Sequence, residues 1–341
     1  GAVEYEVMNV PTLVSARIIP NDGSRAEGPR STRPRVVQGT TRPIVAIVAA
    51  AVLFGTAGTA QALGPDASTP LGVGAARIVV GTAVLWLAIA VAGPPLVELS
   101  EGVRANWRLM LAGGVGVAAY TPAFLIAVDR TGVAIGTIVA IGAGPFCAGA
   151  MEWAWRRVRP TRPWFVGTVV TVAGGTVLVA STADLPESDA VDGLGLAFAL
   201  VAGAGYALYS VTAKSTMSAG VAPTLALAAP FTVGAVVVVL LASREPYRWA
   251  TTGDGALMAL HLGIAATGLA YLLFGYGLRR LTSATTVTLV LAEPLTATLL
   301  ATLVLDETIG PLGWVGVAGV LLGLLIVGRS ANVSIEPVPL D

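Results

Sequence analysis

The sequence predicts an all-α polytopic membrane protein whose ten transmembrane helices form two inverted five-helix repeats. Three observations carry that expectation. Apolar residues make up 55% of the 341-residue chain and charged residues only 12%, about half the charge of a typical soluble domain. The apolar residues gather in ten runs of about twenty, the length a helix needs to cross hydrocarbon. Sliding the chain by 149 residues lays its first half on its second. The 41 glycines fit the same class, because helices in a bilayer pack closely through small residues.

The elements follow in order. Residues 1–41 carry five arginines (17, 25, 30, 33 and 35), four prolines and no long apolar run. They are expected to form a disordered cytoplasmic tail, with nothing of signal-peptide form. The spans are expected at 43–62, 70–92, 107–127, 131–153, 163–181, 193–213, 222–242, 255–277, 283–304 and 311–328. Gly64-Pro65 closes the first and Gly93-Pro94-Pro95 the second. Asp129-Arg130 follows the third, Arg156-Arg157 the fourth and the acidic stretch Asp184 to Asp192 the fifth. Lys214, Arg244, Arg279-Arg280, Asp306-Glu307 and Arg329 follow the remaining five. Runs such as Val233 to Leu241 do not alternate, which excludes a β-barrel. No connecting segment is long enough for a second soluble domain. The first repeat is therefore 42–181, the second 193–329, and 330–341 a cytoplasmic C-terminal tail.

Positive charge sets the expected orientation. With the N-terminus inside, the inner segments hold sixteen Lys and Arg residues. The outer loops hold three, Arg130, Arg244 and Arg248. Both termini are thus expected in the cytoplasm, and the cell inner (plasma) membrane is the expected location.

The 149-residue shift places Thr137 on Thr286, Pro145 on Pro294, Val166 on Val315, Gly167 on Gly316 and Gly174 on Gly323. Five helices is an odd number, so the second copy enters the membrane upside down. The matched loops agree, since the basic stretch Arg156 to Arg162 corresponds to the acidic one at Asp306-Glu307. Inverted repeats are characteristic of secondary transporters, whose substrate site lies near the midplane between the halves.

The pattern Glu293-Pro294, Asp306-Glu307, Gly316 and Gly319 to Gly323 resembles the end of an EamA repeat of the drug/metabolite transporter superfamily. Leu53 to Thr56 followed by Arg77 resembles the start of one. The first copy departs from the pattern, with Gly144 before Pro145 and Arg157-Val158 at the acidic pair. The resemblance implies export of small metabolites, often amino acids, by alternating access.

Ionisable side chains inside a bilayer are costly and tend to be functional. Glu293 lies mid-span before Pro294, where a freed backbone can open towards a cavity. It is expected to hold an ammonium group or carry a coupling proton, or else to bond neighbouring hydroxyls and shape the bundle. Arg77 is expected to act structurally or in gating; it either snorkels to the interface or binds a carboxylate. Tyr120, Tyr206, Tyr271, Thr56 and Gln61 are candidate substrate-binding residues. Pro122, Pro145 and Pro294 are candidate bends. Tyr209 and Tyr276 also suit an interfacial belt. Glu152 and Arg156 are expected to form an interfacial ion pair, His261 to be a satisfied interfacial histidine, and Lys214 to be explained by the inside charge alone. Helices five and ten, with Gly319 and Gly323 in a GxxxG spacing, are expected to be peripheral supports or a homodimer surface.

One His, one Cys and no P-loop leave no catalytic set, so an enzyme is not expected, nor a metal or other cofactor. Zero net charge gives no basic surface for nucleic acid. The expected partners are a small-molecule substrate, the bilayer and protons. The alternatives are proton-coupled efflux of lipophilic cations or drugs, and a non-transporting membrane scaffold or enzyme.

Overall fold

A computed structural model describes residues 41–92, 96–182, 192–306 and 308–331. The expected tail conformations and most of the acidic loop at 184–192 lie outside the described residues. Among those described there is no strand, and ten helices are long and apolar enough to cross a membrane. They are α1 (Thr41–Ala62), α2 (Pro70–Ala92), α3 (Val97–Gly132), α4 (Ala134–Arg156), α5 (Arg162–Thr182), α6 (Gly193–Ser218), α7 (Pro223–Leu241), α8 (Gly253–Leu278), α9 (Ser283–Val304) and α10 (Pro311–Ala331). Large apolar side chains such as Leu87, Leu240 and Leu303 face outward. An aqueous surface would not carry so many, whereas lipid favours them.

Three spans differ from the sequence expectation. α3 is 36 residues long, starting ten residues before the expected 107. Its extra turns carry Glu98, Glu101 and Arg104; helix propensity does not stop at the edge of the apolar run. The expected break between spans three and four at 128–130 is helical, and the chain turns instead at Gly132 (φ 80°, ψ 161°), a conformation open to glycine. α8 contains a π-helical stretch, His261–Leu269, and α9 is interrupted at Val290 and Leu291 between Ser283–Leu289 and Ala292–Val304.

The repeat is visible in the packing. α1 packs on α8 and the second half of α9, while α6 packs on α3 and α4; α2 packs on α8 as α7 packs on α3. α5 and α10 meet face to face. Gly167 faces Gly323 and Val327, and Gly316 faces Gly174 and Leu178. Each contact is the image of the other under the 149-residue shift, as a pseudo-twofold axis between the two copies requires. Gly319 and Gly323 press on Gly174 and Thr171, so this glycine seam is filled within the chain and is not free for a second copy.

Three polar devices tie helix ends together. Asp192 caps α6 by accepting from the Leu194 and Gly195 backbone N–H groups, and pairs with Arg130 at 2.9 Å. The Arg130 hydrogen bond, then the Leu194 N–H, holds the Asp192 carboxyl below its usual range. At the arginine-rich end, Glu152 is fully buried. It accepts from the Ser283 and Ala284 N–H groups at 3.0 and 3.1 Å and from Arg156 at 3.0 Å. It therefore caps α9 from the other repeat, a larger role than the expected interfacial pair. Lys214 donates to the Leu278 and Arg279 carbonyls at 2.8 and 2.9 Å, closing the C-terminus of α8.

Candidate functional site

A cavity of about 90 Å³ lies between the two repeats. That is room for several waters or a small solute. α1 contributes Phe54, α2 Arg77, α3 Tyr120, α6 Gly203 and Tyr206, and α8 Tyr271. α4 contributes Ala140, Ile141 and Gly144, and α9 contributes Val287, Val290, Leu291 and Glu293. Ile141 and Val290 are images under the 149-residue shift, as are Gly144 and Glu293, so the cavity sits on the pseudo-twofold axis.

Glu293 stands in the first turn of the second half of α9, immediately after the break. Its own N–H donates to the Val290 carbonyl at 2.8 Å, tightening that turn. The helix N-terminus beneath the carboxylate favours negative charge. α1 reaches this turn because residue 55 is glycine; a Cβ there would lie 2.8 Å from the Glu293 carbonyl oxygen. Among the described residues no group donates a hydrogen bond to the Glu293 carboxylate and no cationic side chain lies within 4.0 Å of it. The expected alternative, a glutamate bonded by neighbouring hydroxyls, is not what the geometry holds.

Arg77 does not snorkel. Its Nε donates to Thr267 Oγ1 at 2.8 Å and its Nη2 to the Ala266 carbonyl at 3.2 Å, both in the π-helical stretch of α8. A positively charged fork and an unpaired carboxylate therefore share one cavity. Tyr120 and Tyr206 stand 6.1 Å apart, ring centre to ring centre, and Tyr271 packs edge-on against Phe54 at 5.1 Å. The Tyr206 hydroxyl is buried and bonds no described residue. Phe231, Phe274 and Tyr209 back the tyrosines. Tyr209 is 1% exposed, so it belongs to the core and not to an interfacial belt. Tyr276 is exposed and carries Arg280 over its ring at 4.1 Å.

Two expected binding residues stand elsewhere. Thr56 is two positions beyond Phe54, some 200° around the helix. Its hydroxyl donates to the Leu53 carbonyl and meets His261 Nε2 at 2.9 Å. Gln61 is about 10 Å farther along α1 than Phe54, exposed, and donates to the Ala57 carbonyl of its own helix. The expected bends divide in the same way. α9 breaks just before Pro294, whereas the backbone stays helical through Pro122 and Pro145. Pro145 still follows the cavity residue Gly144.

The sequence concealed Thr267 and Ala266, because a π-turn has no residue signature. It also concealed Glu152 as a cap, because its partners are backbone groups 131 and 132 residues away. A smaller recess of about 20 Å³ beside Thr137, Thr171 and Thr176 carries no charged group. Among the described residues no three His, Cys, Asp or Glu side chains gather closely enough to hold a metal ion.

Known proteins share this architecture. A sequence model of the EamA-like transporter family matches residues 41–180 and 193–329. An uncharacterized transporter of Bacillus subtilis (strain 168), YwfM, is 36% identical over 284 residues, 83% of this chain and 93% of that one. An uncharacterized transporter of Clostridium kluyveri is 27% identical over 155 residues, 45% of this chain and 50% of that one. A crystal structure of a protein at 20% identity superposes with a TM-score of 0.73 over 85% of this chain and 97% of its own, which shows a shared fold.

Proposed function

The chain belongs to the EamA-like transporter family, and on that premise we propose that it exports an amino acid or a close relative by alternating access around the cavity at Glu293. The observation that carries this is an unpaired carboxylate and a fixed guanidinium facing one small cavity. A zwitterion satisfies both: its ammonium meets Glu293 and its carboxylate meets Arg77. Tyr120, Tyr206 and Tyr271 supply apolar faces with polar tips for the rest of the molecule. Export is driven by a proton that Glu293 carries when the ammonium is absent. The pseudo-symmetric packing supports the mechanism, because two equivalent halves can exchange inward and outward arrangements around one site. The sixteen-to-three distribution of positive residues supports an inner-membrane orientation with both termini cytoplasmic.

A lipophilic cation would also suit Glu293 and the tyrosine rings. The fixed charge of Arg77 in the same cavity works against it. The test is counterflow of labelled L-amino acids into liposomes holding the purified protein, with Glu293→Gln alongside. Saturable uptake of one class, lost in the variant, is expected. Uptake of a lipophilic cation in place of every amino acid would overturn the assignment, and so would full activity and an unchanged pH profile in Glu293→Gln.

A further inference from the structure

Thr267 cannot touch a molecule in the cavity. It is 2% exposed and does not line the space. Yet it is the residue that fixes Arg77. A threonine hydroxyl has one proton and two acceptor sites. Thr267 spends its proton on the Leu262 carbonyl at 2.8 Å, five residues back, which the π-helical stretch places within reach. Its oxygen is thereby left as an acceptor, and it takes Arg77 Nε at 2.8 Å. The Ala266 carbonyl takes Nη2 at 3.2 Å. Of the five guanidinium donors, two are held by α8. The others are both protons of Nη1 and one of Nη2, and from these the fork of Nη1 and Nη2 donates two parallel hydrogen bonds to a carboxylate.

The surrounding backbone leaves this arrangement little room to drift. α2 and α8 touch through glycines. A Cβ on Gly81 would lie 2.7 Å from Thr267 Cβ, and one on Gly263 would lie 3.4 Å from the Arg77 carbonyl oxygen.

We propose that Thr267, set by the π-turn of α8, is a positioning residue that aims the free fork of Arg77 and thereby makes the cavity select carboxylate-bearing substrates over the matching amines. The proposal rests on the assignment of Arg77 to the substrate carboxylate and adds the device that orients it. π-turns often accompany functional sites. Here the turn's role is to bring one hydroxyl and one carbonyl to the same side of an arginine.

The test measures thermal stabilisation of detergent-solubilised full-length protein by each of the twenty common L-amino acids. The strongest binder is then titrated beside the amine formed by its decarboxylation. Wild type should prefer the acid. Thr267→Val, which keeps shape and removes the hydroxyl, should weaken acid binding about tenfold, as expected for a misaimed charge-assisted contact. Binding of the amine should stay within about twofold, and Thr267→Ser should restore the preference for the acid. Equal losses for acid and amine in Thr267→Val would make Thr267 a packing residue and overturn the proposal. Loss of the preference in Arg77→Gln but not in Thr267→Val would overturn the positioning role and leave the carboxylate assignment standing. No preference in wild type, or no stabilisation by any of the twenty, would remove both.

Discussion

Replacing Glu152 should destabilise the fold more than a surface ion pair would. The side chain accepts two N–H groups that start α9 and one bond from Arg156, whose side chain is itself only 22% exposed. In Glu152→Ala both N–H groups lose their cap and Arg156 loses its anion. Loss of a helix cap costs about 1 kcal/mol, and breaking a buried pair about 3–5 kcal/mol. Arg156 keeps its bond to Ser218 at 3.0 Å and can turn towards the interface, so the lower end applies and the total is about 4 kcal/mol. Glu152→Gln keeps the volume, but its amide N–H must face one of the three donors, leaving a loss of about 2 kcal/mol. Reversible unfolding in mixed micelles reads these values. A double-mutant cycle with Arg156→Ala isolates the pair, with an expected coupling of about 1 kcal/mol. Full stability of Glu152→Ala would refute the cap, and strict additivity with Arg156→Ala would refute the pair.

The same measurement separates two neighbouring glycines. Gly174→Ala should cost roughly 1–3 kcal/mol by overpacking, because its Cβ would lie 2.6 Å from the Gly319 carbonyl carbon; Gly175→Ala meets nothing within 4 Å and should gain about 0.5–1 kcal/mol. Asp192, whose folded carboxyl lies below its usual range, should support the fold above about pH 4 and lose that support as pH falls through the lower folded value. Asn caps a helix as well as Asp, so thermal unfolding of Asp192→Asn should lack this acid-side loss, and an identical pH profile in variant and wild type would count against it. Asp189→Cys in intact cells should react with a membrane-impermeant maleimide from outside, whereas labelling only after lysis would reverse the proposed orientation.

What the sequence made legible was whatever the bilayer itself dictates. Lipid demands long apolar helices, so the ten spans, the repeat and the loop charges could be read from composition and spacing. The intramembrane charges could be read for the same reason, and Glu293 and Arg77 do meet in one cavity with Tyr120, Tyr206 and Tyr271. Rotation around a helix was less legible. Thr56 and Gln61 share α1 with Phe54, but no strong apolar-to-polar asymmetry marks which face of a membrane helix turns inward. Contacts to backbone groups were not legible at all. Glu152 and Lys214 look like ordinary interfacial charges until the ends of α8 and α9 are placed beside them, and Thr267 looks like a filler until α8 winds into a π-turn.

The two copies match in packing but differ in charge, and the difference bears on what the cavity can bind. The image of Glu293 in the first copy is Gly144, across the same cavity. A second carboxylate there would repel the first and raise the cost of ionising both. α7, the counterpart of α2, carries no ionisable residue, so Arg77 has no image in the second repeat. Each charge thus occurs once, the negative one from the second repeat and the positive one from the first. A cavity on a pseudo-twofold axis with like lining would accept a molecule in two opposite orientations. This cavity carries one positive and one negative side chain, and under the proposed function a zwitterion binds it in one orientation. Moving the acid across the axis, with Glu293→Gly and Gly144→Glu together, keeps the net charge but changes the position of the carboxylate relative to Arg77. Under the proposed function that double variant should lose amino-acid counterflow while staying folded, and retention of wild-type uptake would show that the position of the acid does not orient the substrate.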